Sequence, residues 1–246
     1  MEMSANFIMR LFNRFLLVML YLGVSVNQTS AAPVSETGYK NTQYGFDSNA
    51  IVAIKITGKK DFCSGVVVGA NEVLTATHCV YGLKAQTYYP SNTVKIGVGD
   101  NVLHDTVQWF DVTKISPRSS ATIKTVNDFL GNDVVSLVST DVLPVTPVPI
   151  ASYTQKNTPF IAWGFGEDEW GYYGIKKSRP LENAALDEKL ISFSSGACRG
   201  DSGGPVLNTR NEVVAIISVS KVPHCVDAGK RIAQRITSGL IDEKHR

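Results

Sequence analysis

The sequence has few of the residues that build metal centres and redox sites. Its 246 residues include only four cysteines and four histidines, and none of them form a C-x-x-C or an H-x-x-x-H pair. Zinc sites and thioredoxin-like motifs are recognised by such short spacings. We therefore expect no metal and no other cofactor.

A strong charge of one sign is also missing. Lysine and arginine together number 24, aspartate and glutamate 22, and the formal net charge is only +2. Proteins that bind nucleic acid usually concentrate positive charge. The composition therefore predicts no nucleic-acid partner.

The one segment that resembles a membrane span is too short to be one. The apolar run from Phe15 to Val26 has about twelve residues, whereas a transmembrane helix needs about 20. Two arginines precede this run, and Ser30-Ala31-Ala32 places small residues at a cleavage position. This arrangement favours a secretory signal peptide over residues 1–32 rather than an uncleaved anchor. We expect a secreted or periplasmic protein without stable membrane association.

Long helical periodicity is absent before the C-terminus. Short runs rich in Val, Ile and Thr recur instead, which predicts an all-β protein built as a sandwich or as barrels. Residues 143–149 contain three prolines. Because proline has no N–H for a ladder, they are interpreted as a connection and not as a central strand. The predicted strands are Ala50–Thr57, Ser64–Val68, Val73–Ala76, Thr93–Gly97, Val134–Val138, Phe160–Trp163, Val213–Val219 and Arg231–Thr237.

One glycine-rich stretch carries the strongest functional signal: Cys198-Arg199-Gly200-Asp201-Ser202-Gly203-Gly204-Pro205-Val206. A serine hydroxyl becomes a good nucleophile only when a base takes its proton and donors stabilise the oxyanion that follows. Flanking glycines let a substrate carbonyl approach backbone N–H groups closely. The alternative interpretation is a tight turn between two strands.

A second stretch, Leu74-Thr75-Ala76-Thr77-His78-Cys79, supplies a histidine beside a cysteine. Together the two stretches resemble the TAAHC-like and GDSGGP segments of the trypsin/chymotrypsin family of serine proteases. The resemblance implies an all-β fold of two packed six-stranded antiparallel β-barrels, with a short C-terminal helix beginning near Thr237. It also implies that residues 33–145 form the first unit, which consists of an N-terminal segment 33–49 and the first barrel. Residues 146–246 are expected to form the second barrel.

The resemblance assigns roles to the residues of both motifs. His78 is the expected general base, because an imidazole with a pKa near its usual value of about 6.5 can accept and return a proton near neutral pH. Ser202 is the expected nucleophile. The backbone N–H groups of Gly200 and Ser202 are expected to form the oxyanion hole.

The third catalytic residue is expected to be an aspartate between the other two in the chain. Asp133 precedes the run Val134-Val135-Ser136-Leu137-Val138, which is similar to the family's N-D-I-A-L-L pattern. Such an aspartate fixes the tautomer of the histidine. The alternatives, which lack an apolar run at the right place, are Asp111, Asp128 and Asp141.

Four cysteines in an exported chain indicate disulfides and allow three pairings. The resemblance selects Cys63–Cys79, behind the catalytic histidine, and Cys198–Cys225, at the rim of the specificity pocket. Ala162-Trp163-Gly164 is similar to a structural landmark of the second barrel. The aromatic segment Glu169–Gly174 is predicted to be an exposed loop, either in contact with substrate or simply solvated.

The sequence departs from the family in its activation signal. Many members are zymogens in which a cut exposes Ile-Val-Gly-Gly, and the new ammonium pairs with the aspartate before the nucleophile. Asp201 is present, but no Ile-Val-Gly-Gly occurs between residues 33 and 60. Either a different terminus is used, or Asp201 has another partner.

Substrate selection is assigned by the resemblance to five residues. The floor of the pocket corresponds to Gly196, followed by Ala197, so a basic substrate side chain would meet no counter-charge. Ser218 and Ser220 align with one wall of the pocket, and Arg231 with the opposite wall. An arginine there would attract a carboxylate, as in granzyme-like members that cleave after Asp. If Arg231 points elsewhere, the pocket would instead take small or aliphatic residues.

Two classes of function follow from these motifs. The first is an exported, monomeric serine endopeptidase that acts on proteins or peptides. The second is a catalytically silent binding protein on the same fold. An α/β-hydrolase esterase is excluded, because it needs G-x-S-x-G and the chain order Ser, Asp, His.

Overall fold

The structure is a computed structural model that describes residues 45–236 except 105, 157, 221–224, 226 and 228. The predicted signal peptide and the predicted C-terminal helix both lie outside the described residues. In chain order, the elements of the first half are β1 (Ile51–Ile56), β2 (Phe62–Gly69), β3 (Glu72–Thr75), α1 (Thr77–Val80), β4 (Tyr81–Gly82), β5 (Thr87–Tyr88), β6 (Val94–Val98), β7 (Gln108–Pro117) and β8 (Val135–Ser139).

The second half consists of short strands. They are β9 (Ile161–Gly164), β10 (Lys177–Pro180), β11 (Ala185–Leu186), β12 (Leu190–Phe193), β13 (Pro205–Leu207), β14 (Val213–Ser220) and β15 (Arg231–Arg235). Single 3₁₀ turns lie at Ser48–Ala50, Ser91–Thr93 and Val126–Phe129. No helix in the described part of the chain is long and apolar enough to cross a membrane.

Six strands of the first half close into an antiparallel barrel with the order β1-β2-β3-β8-β7-β6. The central strand β1 is buried at every position except Lys55. Such continuous burial is expected for a strand that has the barrel interior on one face and packs on β9 of the second sheet with the other. The first barrel predicted from the resemblance is therefore present.

The second predicted barrel is not closed within the described residues. Its strands form one seven-stranded sheet with the order β10-β9-β13-β14-β15-β12-β11. Edge strand β10 ends at Pro180, which has no N–H to continue a ladder. Only an isolated bridge between Glu182 and Ser195 links this edge of the sheet to the segment after β12, so the closed six-stranded form was a wrong expectation.

One hydrophobic core joins the barrel to the second sheet. Buried residues of β1 and β2 share this core with Phe165, Leu207 and Ile216 of the second half. Trp163, the predicted landmark residue, is 5% exposed and packs edge-on against Phe46, with the ring centroids 5.4 Å apart. The two sheets therefore form a rigid base for the loops between them.

The proline-rich segment 143–149 contains no strand, as predicted. It lies in the stretch between β8 and β9, and so connects the barrel to the second sheet. Two backbone bonds hold it to the barrel, Leu143 N–H to Ala70 O (2.8 Å) and Val148 N–H to Val67 O (2.8 Å). The residue boundaries of the two halves stay a prediction.

All eight predicted strands are present, with ends shifted by one or two residues. The strands missed by sequence reasoning are short or mainly exposed. Strand β7 is the longest of them, and only three of its ten residues are buried. Its alternation is interrupted, because Trp109 is exposed, Ser116 is buried, and the pairing with β8 shifts register between Val112 and Lys114.

The two cysteine pairs of the structure are those implied by the resemblance. Cys63 in β2 is bonded to Cys79 in α1, and Cys198 is bonded to Cys225. The first bond ties the helix that carries His78 to the barrel wall.

We predict that replacing both Cys63 and Cys79 by alanine lowers the free energy of unfolding by about 3 kcal/mol, because the bond closes a loop of 16 residues in the unfolded chain. Urea unfolding of the two proteins measures the difference. Non-reducing peptide mapping of the wild type serves as the control for the pairing. A loss below about 1 kcal/mol would contradict the prediction.

Candidate active site

The histidine lies where the chain leaves the barrel. Strand β3 ends at Thr75, Ala76 is extended, and the one-turn helix α1 then begins at Thr77. His78 is its second residue, and its side chain is 28% exposed. The imidazole therefore lies at the surface of a short helix whose next residue is fixed by a disulfide.

Asp133 is fully buried two residues before β8 begins. The pairing of β3 with β8, in which Thr75 faces Val135, brings Asp133 beside α1. Its Oδ1 accepts from the His78 backbone N–H (2.9 Å), and its Oδ2 lies 2.8 Å from His78 Nδ1. Because a carboxylate only accepts, Nδ1 carries the proton and Nε2 keeps a free lone pair.

The environment of His78 favours its protonated form. Burial alone would lower its pKa, but the charge of Asp133 and the hydrogen bond to it outweigh this, so the pKa of His78 lies above its usual value of 6.5. An imidazole with a raised pKa is a stronger base.

Ser202 lies in the turn before β13, facing the barrel. Its carbonyl accepts from the Ser64 N–H (2.7 Å) of β2, and its Oγ donates to the carbonyl of Ser218 (3.3 Å). The Ser218 hydroxyl in turn donates to Asp133 Oδ2. Ser218, which sequence reasoning assigned only to a pocket wall, therefore links Ser202 to the aspartate and histidine.

The glycines around Ser202 are required by the conformation of the loop. Gly200 and Gly203 have φ values of +95° and +84°, in the left-handed region that favours glycine. A Cβ on Gly203 would overlap Thr75 Oγ1 and the Ser64 carbonyl. The loop therefore packs directly on β2 and β3, with no room for a side chain.

Two backbone donors of this loop are unused. Among the hydrogen bonds of the described residues, none is donated by the N–H of Gly200 or Ser202, whereas Gly203 N–H donates to Ile217 O (2.8 Å). Free N–H groups on a serine and on the residue two positions before it are an arrangement that can stabilise an oxyanion.

A family model described as Trypsin matches residues 37–239 of this sequence. The chain belongs to the trypsin family. Two curated relatives, serine protease 1 and serine protease 2 of Drosophila melanogaster, are each 24% identical to it over 226 residues, which is 77% of this chain and 77% of each relative.

Among solved structures, a Glu endopeptidase in complex with MPD matches with a TM-score of 0.63 and 18% identity, over 78% of this chain and 87% of the other. At that identity the match shows the fold alone. Trypsin-family membership and the serine protease relatives make this protein a serine endopeptidase, with proteins or peptides as its substrates.

The alternative aspartates of this trypsin-family protein have other partners. Asp111 is an exposed member of an ion pair with Lys95. Asp128 accepts from the backbone N–H groups of Lys124 (2.9 Å) and Thr125 (2.7 Å) at a 3₁₀ turn. Asp141 is exposed. Asp133 is the one of the four that has a hydrogen bond to His78.

A serine that sequence reasoning missed supports the loop Cys198–Gly204, which contains the predicted nucleophile Ser202 and is called the nucleophile loop below. Ser64 is fully buried, and its hydroxyl donates to Gly200 O (2.8 Å) while accepting from Phe165 N–H (3.0 Å). It thereby joins the loop to the segment after β9. Its only sequence signal is its position after Cys63 in an apolar strand.

The predicted pocket residues lie around two loops. Gly196 has a φ of +113°, and a Cβ there would overlap the Pro180 carbonyl, while Ala197 is 3% exposed. Ser220 ends β14 opposite Arg231 in the ladder, and its side chain lies outside the described residues.

The side chain of Arg231 donates all of its hydrogen bonds to groups of the protein itself. The residue is 1% exposed. All five of its N–H donors meet backbone carbonyls: Nε that of Ala197 (2.7 Å), Nη1 those of Ser194 and Gly229 (3.3 Å), and Nη2 those of Cys225 (2.9 Å) and Asp227 (3.1 Å). Arg231 therefore ties the loop before Cys198 to the loop after Cys225.

The aromatic segment is partly exposed and partly packed. Trp170 is 78% and Tyr172 64% exposed, as expected for a surface loop. Tyr173 instead stacks on Phe62, with the ring centroids 4.2 Å apart, and its ring lies against Gly200. One aromatic residue of this loop therefore supports the nucleophile loop.

We predict that Asp133→Asn lowers kcat/KM by about 10⁴-fold, because an amide favours the wrong histidine tautomer. Wild-type activity should fall as the pH drops through a His78 pKa above 6.5, since the imidazolium cannot accept a proton. Loss of the Asp133 charge removes the interaction that stabilises the imidazolium, so the acid limb of the variant should move to lower pH. The exposed Asp111→Asn is the matched control, and an unshifted acid limb in the Asp133 variant would contradict this account.

Proposed function

We propose that this trypsin-family protein is an exported endopeptidase that acts through Ser202, His78 and Asp133. Ser202 Oγ would attack the scissile carbonyl while His78 Nε2 takes its proton. The tetrahedral oxyanion would be held by the N–H groups of Gly200 and Ser202. His78 then gives the proton to the leaving amine as the C–N bond breaks, and water repeats the sequence on the acyl-enzyme.

The observation that carries this proposal is a set of hydrogen bonds that connects Asp133 to His78 and, through two groups of Ser218, to Ser202. Asp133 accepts from His78 and from the Ser218 hydroxyl, and the Ser218 carbonyl accepts from Ser202 Oγ. For attack, the Ser202 hydroxyl would exchange this carbonyl for His78 Nε2. The bonds to Asp133 would hold the imidazole in place for that exchange.

Export is supported by the layout of residues 1–32 and by the two cysteine pairs, since disulfides persist in oxidising compartments. A monomer is the form we propose for the exported protein. The alternative, a silent binding protein, would not need buried donors to Asp133 or two unused N–H groups beside Ser202.

We predict that Ser202→Ala abolishes casein hydrolysis and labelling by a fluorophosphonate probe, because the hydroxyl is the group that the probe phosphonylates with loss of fluoride. The fold should be kept, because the hydroxyl makes only one bond to a carbonyl. Thermal unfolding of both proteins is the control. Hydrolysis retained by the variant would contradict the role of Ser202, and a wild type that the probe does not label would favour the silent alternative.

For the residue before the scissile bond we propose a small or aliphatic side chain. The acidic alternative needs Arg231 to receive a substrate carboxylate, but its five N–H donors are already directed to carbonyls. A substrate carboxylate would have to displace at least one of them. Gly196 and Ala197 offer neither a charge nor a hydroxyl.

We predict that a peptide library shows cleavage after Ala, Val or Leu. Strong cleavage after Asp or Glu by the wild type would instead support the acidic pocket.

We also predict that Arg231→Lys lowers the free energy of unfolding by about 3 kcal/mol, since lysine leaves buried carbonyls without donors. Arg210→Lys, at an exposed arginine, is the matched control and should leave the free energy of unfolding unchanged.

A further inference from the structure

The carboxylate next to the nucleophile is buried. Asp201 directly precedes Ser202 and is 2% exposed. Its Oδ1 accepts from Gly166 N–H (2.7 Å), and its Oδ2 accepts from Cys198 N–H (2.8 Å). Asp201 therefore closes the loop Cys198–Asp201 on itself and attaches it to the segment after β9.

Two neighbouring glycines leave room for this carboxylate. A Cβ on Gly166 would lie 2.5 Å from Asp201 Cγ, and a Cβ on Gly164 would overlap Asp201 Oδ1. The position of the carboxylate is therefore fixed by β9 and the residues that follow it.

The Asp201 carboxylate forms an ion pair with Arg179. Arg179 Nη1 donates to Asp201 Oδ2 (3.2 Å), and Arg179 Nη2 donates to Glu167 O (2.9 Å). Arg179 is the only cation in ion-pair contact with Asp201 among the described residues. Its side chain is 18% exposed and belongs to β10, which pairs with β9 in a fixed register.

Arg179 reaches the nucleophile loop by two routes. One is the Asp201 carboxylate, and the other is Glu167, whose N–H donates to Arg199 O (2.8 Å). Arg199 and Asp201 flank Gly200, the residue with an unused N–H. Arg179 therefore acts on the residues on both sides of Gly200.

We propose that Arg179 is a positioning residue that takes the place of an activating N-terminal ammonium. It holds Asp201, and through it the N–H groups of Gly200 and Ser202, in the orientation needed for an oxyanion. The enzyme then needs no newly released terminus to form its active conformation. This inference rests on the proposed function for the identity of the oxyanion donors, while the position of the loop itself can be measured without activity.

Charge balance supports this role. Burial raises the pKa of Asp201, and the Arg179 charge with the N–H groups of Cys198 and Gly166 works against that rise. Without Arg179 the ionised carboxylate would be buried with two amide donors and no cation in contact. It would then take up a proton or move towards water, and either change would alter its hydrogen bonds to the loop.

The first test compares Arg179→Gln, Arg179→Lys and the wild type. Arg179→Gln should lower kcat and the rate of fluorophosphonate labelling by about 10²- to 10³-fold, the effect of losing an oxyanion donor. Arg179→Lys keeps the charge and should recover most of the activity. Arg210→Gln, at an exposed arginine paired with Glu212, is the matched control and should behave as the wild type. Activity of Arg179→Gln within about twofold of the wild type would overturn the proposal.

A second measurement does not depend on catalysis. In a Ser202→Ala background, hydrogen exchange of the peptide spanning Cys198–Gly203 should be faster in Arg179→Gln and unchanged in Arg210→Gln. Equal exchange in all of them would overturn the proposal even if the wild type proved inactive.

A third measurement addresses the terminus. The mature chain with a retained N-terminal Gly-Ser extension should be as active as the chain without it. Activity that arises only when a new terminus is released would overturn the proposal. Absence of labelling in every form of the wild type, with a loop that exchanges slowly only when Arg179 is present, would refute the proposed function and leave the positioning role intact.

Discussion

A carboxylate removed from water must be met by hydrogen-bond donors or by a cation, and the active site depends on this constraint. Asp133 is fully buried, and its donors are the backbone N–H and Nδ1 of His78 and the hydroxyl of Ser218. These donors orient the imidazole and connect it to Ser202. The residue that orients His78 thus also contacts Ser218 of the second sheet.

The same constraint acts on the other side of the nucleophile. Two N–H groups and Arg179 contact the Asp201 carboxylate, and these contacts hold the loop that contains Gly200 in position. Ser64 and Tyr173 hold the loop from the barrel side. In both places a polar group that is costly to bury fixes the geometry more narrowly than apolar packing could.

Prediction from the sequence was good where one local pattern carries the information. The eight strands rich in Val and Ile were identified because apolar runs between Gly- and Pro-containing segments mark buried strands. Strand β7 was missed because an exposed Trp109 and a shift of register interrupt its alternation, and β10 was missed because its four residues contain no apolar run. The open second sheet was missed because Pro180 ends β10, and whether a sheet closes depends on its two edges meeting in space.

The sequence by itself determined which residues could do chemistry: a serine among glycines, a histidine beside a cysteine, and an aspartate before an apolar strand. Only the tertiary structure decided their partners. Ser218 meets Asp133 across 85 residues of chain, and Ser64 meets Gly200 across 136. It also directed Arg231 to backbone carbonyls and Arg179 to Asp201, although both are arginines on strands of the same sheet. A side chain's type fixes what it can bind, but the partner it meets is set by strand register and sheet packing, which no local pattern records.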